Sequence, residues 1–264
     1  MESWHRALVT GASEGIGEAF ARELAARGTG LVLVARRAGV LGRLAEELRA
    51  EHAVEVEVIA ADLTDPHALL GVEMRLQDGH RPIDLLVNNA GGASQHRPFL
   101  ELEREPLARD AYLNALTLLR LTHAAARAMA NRGGGNVLNV SAGVGFYPLP
   151  GAAAYGASKA FVNSLSEALD YELRDTGVHV TAVCPGFTRT RAQRRLGLNV
   201  DRVPGPLWME PQQVAARALR TAARGRSLSN LSRIGALNAF VGRHLPHRVW
   251  VPIVARSQAR LVEP

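Results

Sequence analysis

The sequence predicts an α/β fold: a doubly wound parallel sheet of about seven strands, with helices on both faces, forming one domain over 1–264. Three observations predict it. Short runs rich in Val, Leu and Ile alternate with longer amphipathic runs, the order that builds βαβ units. The run at 30–36, GLVLVAR, is unbroken by polar residues up to its last position, as a strand covered on both faces should be. No repeat, low-complexity linker or change of composition divides the chain.

The elements follow in order. RALVT at 6–10 is a strand leading into a glycine cluster. Ile16, Phe20 and Leu24 then recur at helical spacing, and Gly28 closes that helix. GLVLVAR at 30–36 is the second strand, and LGRLAEELRAE carries the second helix. A third strand at 54–62, a helix at 66–78 and a fourth strand at 83–89 come next. One long helix is predicted over 105–131, a fifth strand over 135–142, a helix from AAAYGASK to about Arg174 and a sixth strand over 178–186. Pro211 opens a helix that Gly225 ends. RSLSNLSR is a poor strand sequence, but a seventh strand is placed near 226–232. A C-terminal extension, 233–264, mixes apolar residues with Arg and His, and Pro246 and Pro252 are expected to interrupt any long helix there. Its expected place is buried between subunits; packing over the site and touching a membrane surface are the alternatives.

Composition excludes several function classes. Apolar residues make up 47% and charged residues 21%, as in ordinary soluble proteins. The formal charge of +6 comes from scattered arginines, and with only 5% aromatic residues there is no stacking platform for nucleic acid. A solvated basic surface accounts for the charge. The single cysteine, Cys184, leaves no internal disulfide to form and fits a reducing compartment. No signal-peptide core opens the sequence, and no run reaches the ~20 apolar residues of a membrane span. A cytoplasmic protein is expected. The dispersed histidines suggest no metal site.

Two motifs carry chemistry. TGASEGIG, 10–17, lies between the first strand and the first helix. Gly11, Gly15 and Gly17 let the backbone turn and approach a pyrophosphate; Ser13 adds a hydroxyl, and the helix start at Ile16 offers unpaired N–H groups. At the end of the second strand an NAD site carries a carboxylate for the ribose 2′-hydroxyl. Here stand Arg36 and Arg37, whose guanidinium groups suit a 2′-phosphate. NADP(H) is expected ahead of NAD(H), although Glu14 adds a carboxylate to the loop. The second motif contains the only lysine of the chain. Tyr155 and Lys159, four apart on a helix, share a face. An ammonium beside a phenol is expected to lower its pKa towards neutrality, and arginine is a poor substitute for a compact cation that can relay a proton.

TGASEGIG, NNAG at 88–91, Ser141 fourteen residues ahead of Tyr155 in YGASK, and PGFTRT at 185–190 together resemble the short-chain dehydrogenase/reductase family over about residues 5–190. The resemblance implies a Rossmann-type fold, a nicotinamide cofactor, a small carbonyl or secondary alcohol substrate, and a homodimer or homotetramer. It implies that Tyr155 is the general acid, that Ser141 hydrogen-bonds the carbonyl oxygen, and that Lys159 holds the nicotinamide ribose while lowering the Tyr155 pKa. Asn114 would complete a proton relay through a water. Glu14 and Ile16 would belong to the cofactor loop, with Asp62 and Leu63 beside the adenine. Asn88, Ala90 and Gly91 would line the cofactor, and Pro185, Gly186, Thr188 and Thr190 would hold its amide end.

A substrate lid is expected over about 188–210. Leu196, Leu198, Val200, Val203, Leu207, Trp208 and Met209 make it apolar, and Phe146, Tyr147 and Leu149 are a candidate second wall. Arg191, Arg194 and Arg195 would suit a carrier phosphate or an acidic carrier protein, but solvent exposure is the preferred reading. An NADP(H)-dependent carbonyl reductase is therefore expected. A 3-oxoacyl-carrier reductase and a nucleotide-sensing binding protein are the alternatives, and the intact Ser141, Tyr155 and Lys159 set argues against the sensor.

Overall fold

The computed structural model describes residues 4–93, 97–191 and 202–259. Its strands are β1 (Arg6–Thr10), β2 (Gly30–Ala35), β3 (Val56–Ala60), β4 (Leu85–Asn88), β5 (Gly135–Val140), β6 (Val178–Cys184), β7 (Phe187–Thr188), β8 (Trp208–Met209) and β9 (Leu228–Asn230). Seven form one parallel sheet in the order β3-β2-β1-β4-β5-β6-β9. The predicted seventh strand is β9, three residues long. The order reverses at β1, whose neighbours are β2 and β4. Such a reversal opens a crevice at the carboxyl ends of the strands.

Alternation along β1 divides the core. Ala7 and Val9 face the layer that holds Phe20, Leu24, Leu48 and Leu219; Leu8 faces the layer with Leu69, Leu76, Leu121 and Met129. The first layer is built by α1 (Gly15–Ala25), α2 (Ala38–His52) and α7 (Pro211–Ala222), and the second by α3 (Pro66–Leu76) and α5 (Leu118–Ala130). α6 (Ala153–Glu172) lies against β6.

The predicted helix over 105–131 is not uniform. It comprises α4 (Arg104–Ala111), a π-helical turn at Tyr112–Thr117, and α5. Asn114 sits inside that widened turn. The C-terminal extension folds as α8 (Arg233–His244) and α9 (His247–Ala259). Pro246 separates the two, but Pro252 lies within α9 and does not end it. That proline is on the exposed side, where water can take up the backbone hydrogen bond it removes. Among the described residues, no helix is long and apolar enough to cross a membrane.

Candidate active site

The crevice at the strand reversal is lined first by the glycine loop. Gly11 and Gly15 have φ of +66° and +61°, a left-handed backbone that glycine adopts without strain. Gly17 is constrained by space instead: a Cβ there would lie 2.2 Å from the Gly11 carbonyl oxygen. The loop is fastened from β4. The Asn89 side-chain amide donates to the carbonyls of Thr10 (3.0 Å) and Gly11 (3.3 Å). Thr10 Oγ1 accepts from the backbone N–H of Asn89 (2.9 Å) and of Ala90 (3.0 Å). These bonds hold the α1 N-terminus and its free N–H groups facing the crevice, a cradle for phosphate. Ile16 packs on the core behind it.

At one end of the crevice, Arg37 donates to Ser13 Oγ at 3.0 Å and pairs with Glu14 at 3.0 Å. The carboxylate in the loop therefore orients the arginine. Asp62 accepts from the Thr64 hydroxyl (2.7 Å) and amide (3.0 Å), and its other oxygen pairs with Arg109 of α4. Burial raises the Asp62 pKa, but the Thr64 bonds, then Arg109 and Arg36, outweigh it and hold the carboxyl below its usual range. The Leu63 carbonyl accepts from Thr117 Oγ1 at 2.9 Å.

The other end is formed by β5 and α6. Ser141, just past β5, is buried and donates to the Lys159 carbonyl at 3.2 Å. Lys159 is also buried; its Nζ donates to the Val140 carbonyl at 2.8 Å and stands 5.6 Å from the centre of the Tyr155 ring. Burial pushes the Lys159 pKa down to about 8 and the Tyr155 pKa up to about 12. Burial thus works against the lowering of the phenol's pKa expected from Lys159. The desolvation that lowers the one raises the other. The Tyr155 phenol, whose ordinary pKa is 10.0, is neutral at pH 7 with or without that shift.

The Asn114 side chain is held by backbone groups. Its two amide protons go to the carbonyls of Gly92 (2.6 Å) and Asp110 (2.7 Å), and Oδ1 accepts from Gly92 N–H at 2.9 Å. Only Oδ1 has further capacity, one lone pair. A Cβ on Gly91 would sit 2.5 Å from that Oδ1, so the β4 turn and the π turn meet closely here. Asn88 turns away from the crevice: its amide donates to Thr122 and Asn139 behind the sheet, fastening β4 to α5 and β5.

The segment after β6 closes this end. Thr188 is buried and donates to the Gly186 carbonyl at 3.0 Å. Thr190 reaches the glycine loop, its methyl 3.2 Å from where a Gly15 Cβ would stand. Pro185 lies between β6 and β7. β7 and β8 pair as a two-residue ladder, and Trp208 packs on Phe187 and Arg189. The expected lid residues Arg194, Arg195, Leu196, Leu198 and Val200 lie outside the described residues. Phe146, Tyr147 and Leu149 do not form an open wall. Phe146 packs with Ala239, Tyr147 meets the edge of Trp250, and Leu149 packs with Val254. A mostly apolar cleft instead opens between α4 and the start of α6, lined by Leu102, Leu107, Ala111, Ala152 and Tyr155.

Sequence reasoning missed Arg109 and the support behind Ser141. Cys184 lies there, its Sγ 3.6 Å from Asn163 Oδ1. Asn89 falls within the NNAG stretch expected to support the turn after β4, and it ties that turn to the glycine loop; Arg109 and Asp62 are 47 residues apart and share no local pattern.

The family model described as short chain dehydrogenase matches residues 5–200. This chain belongs to the short-chain dehydrogenase/reductase family. It is an NAD(P)-dependent oxidoreductase of that family. A short-chain dehydrogenase from Sphingobium yanoikuyae, solved in complex with NADPH, is 38% identical with a TM-score of 0.81, over 97% of this chain and 94% of that one. The bulky-bulky ketone specific alcohol dehydrogenase from Comamonas testosteroni is 33% identical with a TM-score of 0.77, over 98% and 94%. The very-long-chain 3-oxoacyl-CoA reductase of Bos taurus is 30% identical over 95% of this chain and 78% of its own length.

Proposed function

We propose that this short-chain dehydrogenase/reductase uses NADP(H) to reduce the carbonyl of a bulky, largely apolar ketone, and to oxidise the matching secondary alcohol. One observation carries the carbonyl chemistry: Ser141, Lys159 and Tyr155 converge where β5 meets α6, beside a mostly apolar cleft; the choice of a bulky ketone rests on the likeness to the Comamonas testosteroni alcohol dehydrogenase. The left-handed turn at Gly11 and Gly15 in front of the α1 N-terminus supports a dinucleotide there. Gly11 to Gly17 would hold the pyrophosphate, and Arg37 with Ser13 the 2′-phosphate, with Arg36 close by. Asp62 and Leu63 would meet the adenine; Ala90, Gly91, Pro185, Gly186, Thr188 and Thr190 would line the nicotinamide end. When bound, the cofactor supplies the hydride.

The residues do the remainder. Tyr155, protonated at pH 7, gives its phenolic proton to the carbonyl oxygen as negative charge develops there. Ser141 turns its hydroxyl from the Lys159 carbonyl to that same oxygen, a second donor aimed at the growing charge. Lys159 spends one N–H on Val140, leaving two for ribose hydroxyls and a positive charge near the phenolate that proton donation leaves behind. Asn114 keeps the Gly91–Gly92 turn in place beside Lys159.

A panel of bulky ketones, small aldehydes and a long-chain 3-oxoacyl thioester, each with NADPH and with NADH, tests this by nicotinamide absorbance. The expected result is fastest turnover of bulky ketones with NADPH. Preference for NADH would overturn the role of Arg37, and preference for the thioester would favour the 3-oxoacyl reading, which the likeness to the bovine reductase supports.

A further inference from the structure

α8 and α9 have an inner side that packs and an outer side that does not. Ala239 and Gly242 of α8 and Val254 of α9 are buried against the rest of the molecule. The opposite face of α8 carries Leu237 and Phe240, 60% and 61% exposed, and that of α9 carries Val249 and Ile253, each more than half exposed. Leu245 stands exposed at the junction. Single exposed apolar side chains are ordinary, but here they recur at helical spacing along two successive helices.

The charges on this pair all have one sign. Residues 233–259 hold Arg233, Arg243, Arg248 and Arg256 and not one Asp or Glu. Arg243 is paired with Glu167 of α6. Arg233, Arg248 and Arg256 are exposed, and helical spacing puts Arg233 on the face of Leu237 and Phe240 and Arg256 on the face of Val249 and Ile253. A helix face that carries both apolar residues and arginines suits the headgroup region of an anionic bilayer, with the long arginine stems keeping their charge at the phosphates. A second copy of the chain fits worse, because a two-fold interface would set this positive face against itself.

We infer that the outward face of α8 and α9 docks on an anionic lipid surface. The interaction does not depend on catalysis. Flotation of the purified full-length protein with two vesicle types tests it, one of phosphatidylcholine alone and one with a quarter of phosphatidylglycerol. The protein floats with the anionic vesicles and not with the neutral ones, and added salt releases it. Leu237→Glu with Phe240→Glu abolishes flotation and leaves the melting temperature unchanged. Arg248→Gln with Arg256→Gln weakens binding roughly 25-fold, about fivefold for each charge; this pair still tests the inference if the first double variant misfolds. Flotation with neither vesicle type or equally with both, or arginine variants that bind as the parent does, would overturn it. So would dissociation of an oligomer by Leu237→Glu with Phe240→Glu in sedimentation velocity, since the face would then be a contact between copies.

Discussion

The two ends of the cofactor crevice place charge in opposite surroundings. Lys159 is 5% exposed and Ser141 is buried beside it, so desolvation moves the proton affinities there. The Arg109 side chain at the other end is 50% exposed, and Arg37 and Asp62 are also open to solvent. Charges there cost little to hold and are worth little apiece. In the proposed function the buried end sets the chemistry, because a proton moved in low dielectric is strongly governed by its neighbours. The open end is there proposed to set cofactor preference, where several weak contacts combine.

The predictions probe that contrast, beginning at the buried end. Tyr155→Phe should lower kcat by about a thousandfold while leaving dinucleotide affinity intact, as stopped-flow turnover and fluorescence titration would show; an unchanged kcat would end the mechanism. Gly17→Ala forces its Cβ against the Gly11 carbonyl, and the displaced loop should lose roughly a hundredfold in kcat/KM.

Lys159→Met separates activity from stability. Turnover should fall, yet the variant should be more stable at pH 7 by about 2 kcal/mol, since a buried charge is removed at the cost of the bond to Val140. The Lys159 pKa falls from 10.5 to about 8 on folding. Between those values the unfolded chain holds the proton that the folded chain has released, so in the parent this group's contribution to stability rises with pH. The advantage of the variant should therefore shrink from pH 8 to 10.5 in denaturant titrations. A constant difference would show that Lys159 is not buried as a cation.

At the open end effects are smaller. Arg37→Ala should weaken NADPH about tenfold and leave NADH unchanged in paired KM measurements. Arg109→Ala should change the KM for either nucleotide by only about threefold, and a hundredfold change would mean that the exposed pair with Asp62 matters far more than its surroundings allow.

Legibility followed the range of the interactions. The glycine loop could be read because a turn with φ near +60° at Gly11 and Gly15 is a local demand on two residues. The Tyr155–Lys159 pair could be read because i,i+4 spacing on a helix puts both on one face. The widened turn at 112–117 could not, since its residues are ordinary helix formers and the meeting of Asn114 with Gly92 creates the need for it. Pro252 misled, because whether a proline ends a helix depends on which side it faces.

Taken alone, the order of apolar runs determined the parallel sheet, and four short motifs determined the family and the groups able to donate, accept and carry charge. Those are properties of segments, set by periodicity and backbone geometry. Tertiary structure alone decided that Lys159 is buried beside the Tyr155 ring, that Arg109 reaches Asp62, that the Asn114 side chain bonds the Gly92 backbone, and that α8 and α9 leave apolar residues outward. Each of these depends on burial or on residues distant in the chain, and burial is a property of the assembled fold.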